Sequence, residues 1–342
     1  MEPVISVVIP MYNADRFVRE AIESVLNQTF SDIEVLVVDD CSTDRSVEIV
    51  EGMAADDQRI RLLRHEKNAG PAIARNTAFD VARGKYMACL DADDIFIPNA
   101  LETLYKYAER TDADVVSANG TFVFEGEHMP TDFDNLSEGI YDGVPVKAAT
   151  RLSSPDISIE VKAQRYLHGA YGLGHCWSKL YRRDFLNDNG IRFRVHAEDR
   201  CFTFECAMYA RTYIRLPYFV NVYRRVKNSL SHQESTMKHL EDGVKGMSKF
   251  AADFDASMIH MEFIKERPDY RFQILNMQLA AVDMHEVMRY YPSSTQVGTD
   301  VIAAVDEAAR EAYGEDGAFI GWLFHRQHLL YRRLLDLTRA DR

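Results

Sequence analysis

The chain has 342 residues, of which 46% are hydrophobic and 27% are charged, and its formal net charge is −13. This composition is that of a globular protein with enough material for one large domain or two ordinary ones. The excess of negative charge argues against general nucleic-acid binding, because a phosphate backbone would be repelled. It does not argue against an anionic ligand that is held through a metal ion.

The five cysteines are scattered and form no CxxC pair and no Cys/His ligand spacing. They indicate neither a zinc site nor a disulfide framework, so we expect reduced thiols in a cytoplasmic protein. The first ten residues lack a basic stretch followed by a long apolar run, and no window contains eighteen consecutive apolar residues. We therefore expect no signal peptide and no membrane-spanning helix.

The first 120 residues alternate between strand and helix patterns. Short runs of β-branched and apolar residues predict buried strands, and apolar residues at helical spacing predict helices. The predicted strands cover 4–9, 33–38, 60–65, 85–90 and 113–119, and the predicted helices cover 14–27, 43–55, 71–83 and 98–110. Such units form a mostly parallel sheet with helices on both faces, so the predicted fold class is α/β.

This regular alternation ends near residue 120. Loops and a few irregular strands are expected over 121–165, and aromatic and basic residues dominate 166–232. From Ser235 onward the sequence has helical spacing, and the clearest helices are predicted at 272–291 and 318–337.

Three of the predicted strands end in conspicuous polar residues. PMYN follows the first strand, DDCSTD follows the second and DADD follows the fourth. Because ligands bind beyond the carboxyl ends of parallel strands, the three motifs are expected to share one ligand-binding edge. Turn and cap chemistry is the alternative for the first two, since Asn13, Asp15, Ser42, Thr43 and Asp44 are residue types that cap helices. Tyr12 could pack or could lie flat under a planar base.

The DADD motif places Asp91, Asp93 and Asp94 within four positions. Carboxylates this close raise one another's pKa unless a cation lies among them. One of them could cap the helix near Pro98, but a cap needs one carboxylate and not three. Neighbouring carboxylates are typical ligands of Mg²⁺ or Mn²⁺, which share ligands with substrate phosphates. The cluster therefore favours a divalent metal site.

Two helix starts carry further candidates. The helix that begins after Gly70 has an amino end suited to phosphate, with Arg75 and Asn76 one turn inside it. Arg75 could equally pair with an acidic residue. Glu198 and Asp199 open an amphipathic helix, where they could compensate the helix dipole or where Asp199 could act as a general base.

Two segments combine aromatic with basic residues, GHCWSKLYRRDFL at 174–186 and YRRVKNSLSH at 223–232. Trp177 could stack on a sugar ring, and Lys179 and His232 could bind phosphate. A solvated basic surface is the alternative for both segments.

The order and spacing of these motifs strongly resemble the family 2 glycosyltransferases with the GT-A fold. The resemblance runs nearly without gaps from residue 4 to about 120, and it resumes in WSKLYRRDFL and AEDRCF. It implies a Rossmann-like sheet flanked by helices, followed by a helical C-terminal extension. It also implies an inverting hexosyltransferase that uses a nucleotide-diphospho-sugar, most often UDP-linked, together with Mn²⁺ or Mg²⁺.

The resemblance also assigns donor contacts to positions of this chain. The implied donor-binding residues are Pro10, Tyr12, Asp39, Asp40, Arg75, Asn76, Asp91 and Asp93. Pro10, Tyr12 and Asp40 would hold the uracil ring, with Asp39 beside them. Arg75 and Asn76 would lie near the ribose and the diphosphate.

The same resemblance assigns the metal and the catalytic residues. Asp91 and Asp93 form the DxD motif, with Asp91 near the ribose and Asp93 on the metal ion. Asp199, in the pair with Glu198, matches the catalytic base. Trp177, Lys179 and His232 are weaker candidates for contacts with the acceptor or with phosphate.

The expected organisation is a GT-A domain over 1–234, with a nucleotide-sugar half at 1–120 and an acceptor half at 121–234, followed by a helical region over 235–342. The expected acceptor is a glycan or lipid-linked saccharide of bacterial surface polysaccharide synthesis. The basic, aromatic stretch 318–342 would form a packing or dimer helix, or would contact the inner face of the cell membrane peripherally.

Two other functions are weighed against this one. A nucleotidyltransferase would carry a Gly-rich loop with Arg or Lys after the first strand, where this chain has PMYNADRF. A non-catalytic nucleotide-sugar binding protein would lack the DxD motif or Asp199, and both are present. The sequence therefore favours a glycosyltransferase.

Overall fold

The computed structural model describes residues 2–124, 149–171, 174–195 and 198–225, with short stretches at 140–141, 144–145 and between 258 and 274. The chain divides into two compact units, residues 1–232 and 233–342. The predicted helix at 318–337 and nearly all of the one at 272–291 lie outside the described residues.

Four parallel strands, connected by three helices, begin the first unit. The strands are β1 (Ile5–Met11), β2 (Ile33–Asp39), β3 (Ile60–Arg64) and β4 (Tyr86–Cys89), and the helices are α1 (Val18–Leu26), α2 (Ser46–Asp56) and α3 (Pro71–Val81). Every residue of β2 is buried, as expected for a parallel strand that is covered on both faces. These elements confirm the pattern predicted for this part of the sequence.

The chain then continues with shorter and mixed elements. They are β5 (Ile95–Phe96), α4 (Ala100–Thr111), β6 (Val115–Phe124), β7 (Ile140–Tyr141), β8 (Val144–Pro145), β9 (Thr150–Ser153), α5 (Ile159–Leu167), β10 (Lys179–Arg182), α6 (Arg183–Asp188), α7 (Glu198–Tyr209) and β11 (Tyr213–Arg225). Of these, α4 and β6 lie where the sequence predicts a helix and a strand.

Nine strands form one sheet in the order β3-β2-β1-β4-β10-β6-β11-β5, with β9 paired to β11. β10 is antiparallel to both of its neighbours, β4 and β6, whereas β6 and β11 are parallel. β5 and β9 are antiparallel to β11, and β7 pairs with β8 in a separate two-stranded sheet. The α/β class is confirmed, and the sheet is parallel over β3-β2-β1-β4 and mixed beyond β4.

An aromatic cluster on one face of the sheet joins α3 to α7. The ring of Phe202 on α7 stacks on Phe193 at 4.0 Å between centroids, and Phe79 on α3 meets both rings edge-on. Tyr181 of β10 packs against Phe202 at 5.0 Å. These contacts fix the amino end of α7 relative to α3. Both helices carry candidate functional residues.

In the second unit the structure describes the short helix α8 (Glu262–Glu266) and a few residues around it. Ile264 is buried, and the rings of Phe263 and Tyr270 meet edge-on at 6.2 Å. Across the described part of the whole chain, no helix has the length and apolar character needed to span a membrane.

Candidate active site

The carboxyl ends of β1, β2 and β4 lie side by side. Met11, the last residue of β1, is paired with Asp39, the last residue of β2, and Pro10 precedes it in the strand. Val8 of β1 is paired with Cys89 at the end of β4. The three polar motifs that follow these strands therefore share one edge of the sheet, as the sequence predicts.

The backbone at this edge adopts conformations that side chains usually avoid. Among the described residues, four that are not glycine have a positive φ, and three of them lie at this edge: Asn13 at 49°, Cys41 at 67° and Ser178 at 58°. Left-handed backbone costs free energy in residues that carry a Cβ, and such residues concentrate at functional sites.

The tips that follow β1 and β2 are interlocked by hydrogen bonds. The Asn13 N–H donates to Ser42 Oγ at 2.9 Å, and the Thr43 N–H donates to Asn13 Oδ1 at 2.8 Å. Asp39 is buried and accepts the Ser42 N–H at 3.0 Å. Turn chemistry thus accounts for much of these two motifs, whereas Tyr12 is 53% exposed and its ring faces solvent.

Asp40 is buried and holds the turn that leads into α3. Its carboxylate accepts the N–H groups of Ala69 at 2.9 Å and Gly70 at 2.7 Å, and it meets His65 Nδ1 at 2.7 Å. Burial by itself would raise the pKa of Asp40, but the bonds from His65, Ala69 and Gly70 outweigh burial and lower it. Both oxygens are engaged, so Asp40 shapes the site; its predicted contact with uracil stays a prediction.

His65 is a site residue that the sequence analysis did not single out. Its ring lies between Asp40 and Thr77, with Nε2 at 3.0 Å from Thr77 Oγ1. Its position directly after β3, at the same sheet edge as the other motifs, could have identified it from the sequence.

Arg75 is the electrostatic centre of the site. Its guanidinium is only 4% exposed, and Nη2 pairs with Asp91 Oδ1 at 2.6 Å. Nη1 pairs with Glu198 and lies 3.6 Å from Asp199 Oδ1. Of the two interpretations of Arg75, the structure supports pairing with acidic residues. Arg75 reaches Glu198 across 123 sequence positions and thereby joins the DxD motif to the Glu198–Asp199 pair.

Asn76 lies next to Arg75 but faces a different partner. Its side chain exchanges two hydrogen bonds with the backbone of Phe193, each 2.9 Å long. This pair fastens α3 to the segment that leads into α7. The predicted contact of Asn76 with the donor stays a prediction.

The turn after β4 is held by Arg224 of β11. The Arg224 N–H donates to Asp94 Oδ1 at 2.8 Å, its Nε donates to the Asp93 carbonyl at 3.0 Å, and Nη2 bonds Glu20 at 2.6 Å. Burial first, and then the charge of Asp91, raise the pKa of Asp93 to about 6. Burial, followed by the charges of Asp91 and Asp93, also raises the pKa of Asp94 well above its usual range.

These carboxylates fit a divalent metal ion. The Asp93 carboxylate receives no hydrogen bond from another side chain in the described part of the protein, and there Asp94 Oδ2 is buried without a partner. Hard cations prefer such oxygen ligands, and Mg²⁺ or Mn²⁺ needs only one or two carboxylates when phosphates and waters complete its shell. No group of three or more His, Cys, Asp or Glu that could hold a metal occurs among the described residues.

A loop over residues 175–178, here called the base loop, contacts Asp199. The Cys176 N–H donates to Asp199 Oδ2 at 3.1 Å, and the rings of His175 and Trp177 stack at 4.0 Å. Burial first, and then the charge of Lys179, lower the pKa of His175 to about 3. Lys179 does not belong to a solvated surface, because it is 4% exposed and its amine donates to the His175 carbonyl, and its predicted phosphate contact stays a prediction.

Some predicted features lie outside the described residues. His232 belongs to them, and so does the stretch 318–342 with its expected membrane or dimer contact. The expected cytoplasmic location likewise stays a prediction.

A nine-stranded α/β sheet with an acidic edge at the carboxyl ends of its parallel strands has the architecture of the GT-A glycosyltransferases. The model of the family described as "Glycosyl transferase family 2" matches residues 6–189, more than half of the sequence. The chain belongs to glycosyltransferase family 2, and it is an enzyme of that class.

Named relatives agree with this assignment. The glycosyltransferase GlyG of Streptococcus pneumoniae is 28% identical over 84% of this chain and 94% of its own length. The uncharacterized glycosyltransferase EpsJ of Bacillus subtilis is 33% identical over 68% of this chain and 64% of its own length.

Solved structures agree in fold. S. aureus TarS in complex with UDP aligns with 100% of this chain and 92% of its own, with a TM-score of 0.66 and 19% identity. The mannosyltransferase PcManGT of Pyrobaculum calidifontis, in complex with GDP-Man and Mn²⁺, aligns with 96% of this chain and 87% of its own, with a TM-score of 0.52 and 17% identity.

Proposed function

We propose that this glycosyltransferase moves a sugar from a UDP-sugar, with inversion and with a divalent metal ion, to a hydroxyl group of a glycan or lipid-linked saccharide in bacterial surface polysaccharide synthesis. The observation that carries the proposal is the convergence of Asp91 and the Glu198–Asp199 pair on one buried guanidinium, that of Arg75. The convergence supports the proposal that the donor motif and the candidate base belong to a single site.

Support for the donor comes from relatives and from the sheet edge. TarS has been crystallised with UDP and with UDP-GlcNAc. In this chain the exposed ring of Tyr12 offers a face for a uracil base, and Pro10 and Asp39 lie beside it in the strand register. Arg75 is paired with Asp91 and the Glu198–Asp199 pair, so its contact with the diphosphate stays a prediction.

Asp93, with Asp91 beside it, would hold Mn²⁺ or Mg²⁺. When bound there, the ion would supply neutralisation of the negative charge on the departing diphosphate. PcManGT, whose fold this chain shares, has been crystallised with GDP-Man and Mn²⁺.

The chemistry assigned to the protein is one displacement. Asp199 accepts the proton of the acceptor hydroxyl, whose oxygen forms a bond to the anomeric carbon. The bond from that carbon to the phosphate oxygen breaks, and UDP leaves with the electron pair. Glu198 pairs with Arg75 and balances its charge beside the base.

The metal assignment is tested by Asp93→Ala. UDP release from UDP-GlcNAc, UDP-glucose and UDP-galactose is measured with MnCl₂ and with EDTA, and the metal-dependent rate should fall by at least about 100-fold. The matched control is Asp80→Ala, because Asp80 lies on α3 with its side chain 66% exposed. Retention of the metal-dependent rate in Asp93→Ala would overturn the assignment.

The base assignment is tested by Asp199→Asn. The Kd for UDP, measured by calorimetry, should stay within about twofold while kcat falls by about 10³, within the range of general base catalysis. If kcat is unchanged, Asp199 is not the base.

A further inference from the structure

Lys179 is a buried cation for which the proposed reaction has no direct use. The side chain is 4% exposed, and its amine, which has three donors, makes one hydrogen bond within the described residues, to the His175 carbonyl at 2.5 Å. Burying an ammonium group with so few partners costs free energy. The opposing charge of Asp199 does not offset burial, which lowers the pKa of Lys179 to about 8.

The contact belongs to a set of bonds that fasten the base loop. Tyr181 donates its hydroxyl proton to the Cys176 carbonyl at 2.9 Å. Ser178 Oγ donates to the Ala118 carbonyl at 3.2 Å, and the Ser178 carbonyl accepts the Ala118 N–H at 2.9 Å. Together with the bond from Lys179 to His175, these contacts engage three of the four residues of the base loop. They hold the loop in place although Ser178 has a φ of 58°.

The fastened loop delivers one hydrogen bond to the site. The Cys176 N–H reaches Asp199 Oδ2, and in the described part of the chain Asp199 Oδ1 is buried without a hydrogen-bond partner, 3.6 Å from Arg75 Nη1. One oxygen is thus anchored by the loop, and the other is the oxygen left to accept a proton.

We propose that Lys179 is a positioning residue for Asp199. Its buried amine holds the His175 carbonyl, and this contact fixes the peptide whose Cys176 N–H orients the carboxylate. The inference rests on the proposed function, in which Asp199 is the base. Small misplacements of a catalytic group cost about 10²-fold in rate, so the contact has a measurable value.

The chain contains a matched control for a buried lysine. Lys162 on α5 is also buried, and its amine donates to the carbonyls of Met208 and Ala210 at the carboxyl end of α7. Asp199 lies at the opposite end of the same helix. Lys162→Met therefore removes a buried ammonium group that contacts the carboxyl end of α7, and it leaves the contacts of the base loop unchanged.

The test compares Lys179→Met, Lys162→Met, Asp199→Asn and the double variant Lys179→Met/Asp199→Asn. We expect Lys179→Met to lower kcat by about 10- to 100-fold with the UDP Kd unchanged, and Lys162→Met to change kcat by less than about twofold. In the Asp199→Asn background, Lys179→Met should have no further effect on kcat, because a residue that acts through Asp199 has nothing left to position.

Tyr181→Phe is the second variant if Lys179→Met does not fold. It removes only the bond to the Cys176 carbonyl, and its loss of kcat should likewise disappear in the Asp199→Asn background. An unchanged kcat in the folded variants, or the same loss with and without Asp199, overturns the inference. Full activity of Asp199→Asn would instead overturn the base assignment of the proposed function, so the two failures are distinguishable.

Discussion

Two acidic sites lie at opposite edges of the parallel part of the sheet, and they are built in opposite ways. At the amino ends, Glu34 of β2 accepts hydrogen bonds from Ser6 Oγ at 2.7 Å, from the Arg83 N–H at 2.7 Å and from Arg61 Nη1 at 2.9 Å. Burial raises the pKa of Glu34, but these bonds outweigh burial and lower it.

At the carboxyl ends, burial also raises the pKa of each carboxylate of the DADD turn, and too few partners offset it. The pKa values of Asp91, Asp93 and Asp94 are all raised, and one oxygen of Asp94 has no partner among the described residues. The free-energy cost of burying ionised carboxylates is thus offset by hydrogen bonds at Glu34, and it is not offset in the DADD turn. The comparison indicates that Glu34 stabilises the fold, whereas the uncompensated burial of the DADD carboxylates is in line with the proposed divalent metal ion.

The largest effect is expected from Arg75→Met, which removes the cation from the carboxyl-end site. Asp91, Glu198 and Asp199 then lack their counter-charge, and the free energy of unfolding at pH 7.5 should fall by about 3–5 kcal/mol. Urea denaturation measures the loss. The loss should shrink at pH 5, because burial raises the pKa of Asp91 and its protonation becomes easier there. An equal loss at both pH values would contradict the electrostatic origin.

Glu34→Gln disrupts the acidic site at the amino ends of the strands. Its charge-assisted hydrogen bonds predict a loss of about 2–3 kcal/mol at pH 7 with kcat unchanged. Because the folded pKa of Glu34 lies below its usual value of 4.5, its contribution is fully present above pH 4.5 and is lost as pH falls through the folded pKa. Denaturation of both proteins from pH 7 to 3 should therefore converge at the acidic end. A loss of kcat larger than twofold would show that the two ends are coupled.

Tyr12→Ala should separate binding from stability at the carboxyl end. Tyr12 is 53% exposed, so the free energy of unfolding should change by less than about 0.5 kcal/mol. The loss of base stacking should weaken the UDP Kd, measured by calorimetry, by about tenfold. Phe122→Ala is the control, since Phe122 is 52% exposed and lies on β6, which does not pair with β1. Equal UDP affinity in both variants would remove Tyr12 from the donor site.

The smallest effect is expected from Asp93→Asn in the absence of metal, and its sign is opposite to that of Glu34→Gln. The folded pKa of about 6 lies above the usual 3.8, so the ionised carboxylate costs stability fully above pH 6, and the cost disappears below pH 3.8. The variant should raise Tm at pH 7.5 by about 2 °C, as measured by calorimetry with EDTA. A lower Tm would mean that Asp93 stabilises the fold as Glu34 does.

Much of the fold was readable from local patterns. The strands β1, β2 and β4 are buried on both faces, so their apolar runs identify them without knowledge of their neighbours. The shared edge of the PMYN, DDCSTD and DADD motifs followed from the parallel arrangement alone.

The remaining features depend on distant contacts that local patterns do not contain. From the sequence alone, the partner of Arg75 could be a phosphate or an acidic residue. The partner is set by the packing of Phe79 against Phe193 and Phe202, which brings α7 and its Glu198 close to Arg75. The sequence predicts that Lys179 either binds phosphate or belongs to a solvated basic surface, because its neighbours in sequence are basic and aromatic. Its burial follows from its place in β10, at the centre of the sheet.

The position of β10 also bears on how the protein is made. This strand hydrogen-bonds to β4 on one side and β6 on the other, although it comes more than fifty residues after both in the chain. A ribosome must therefore extrude the chain past Arg182 before the central gap in the sheet can close. Until then the edges of β4 and β6 are exposed to pairing with other chains, so nascent chains that stall earlier should require chaperone protection.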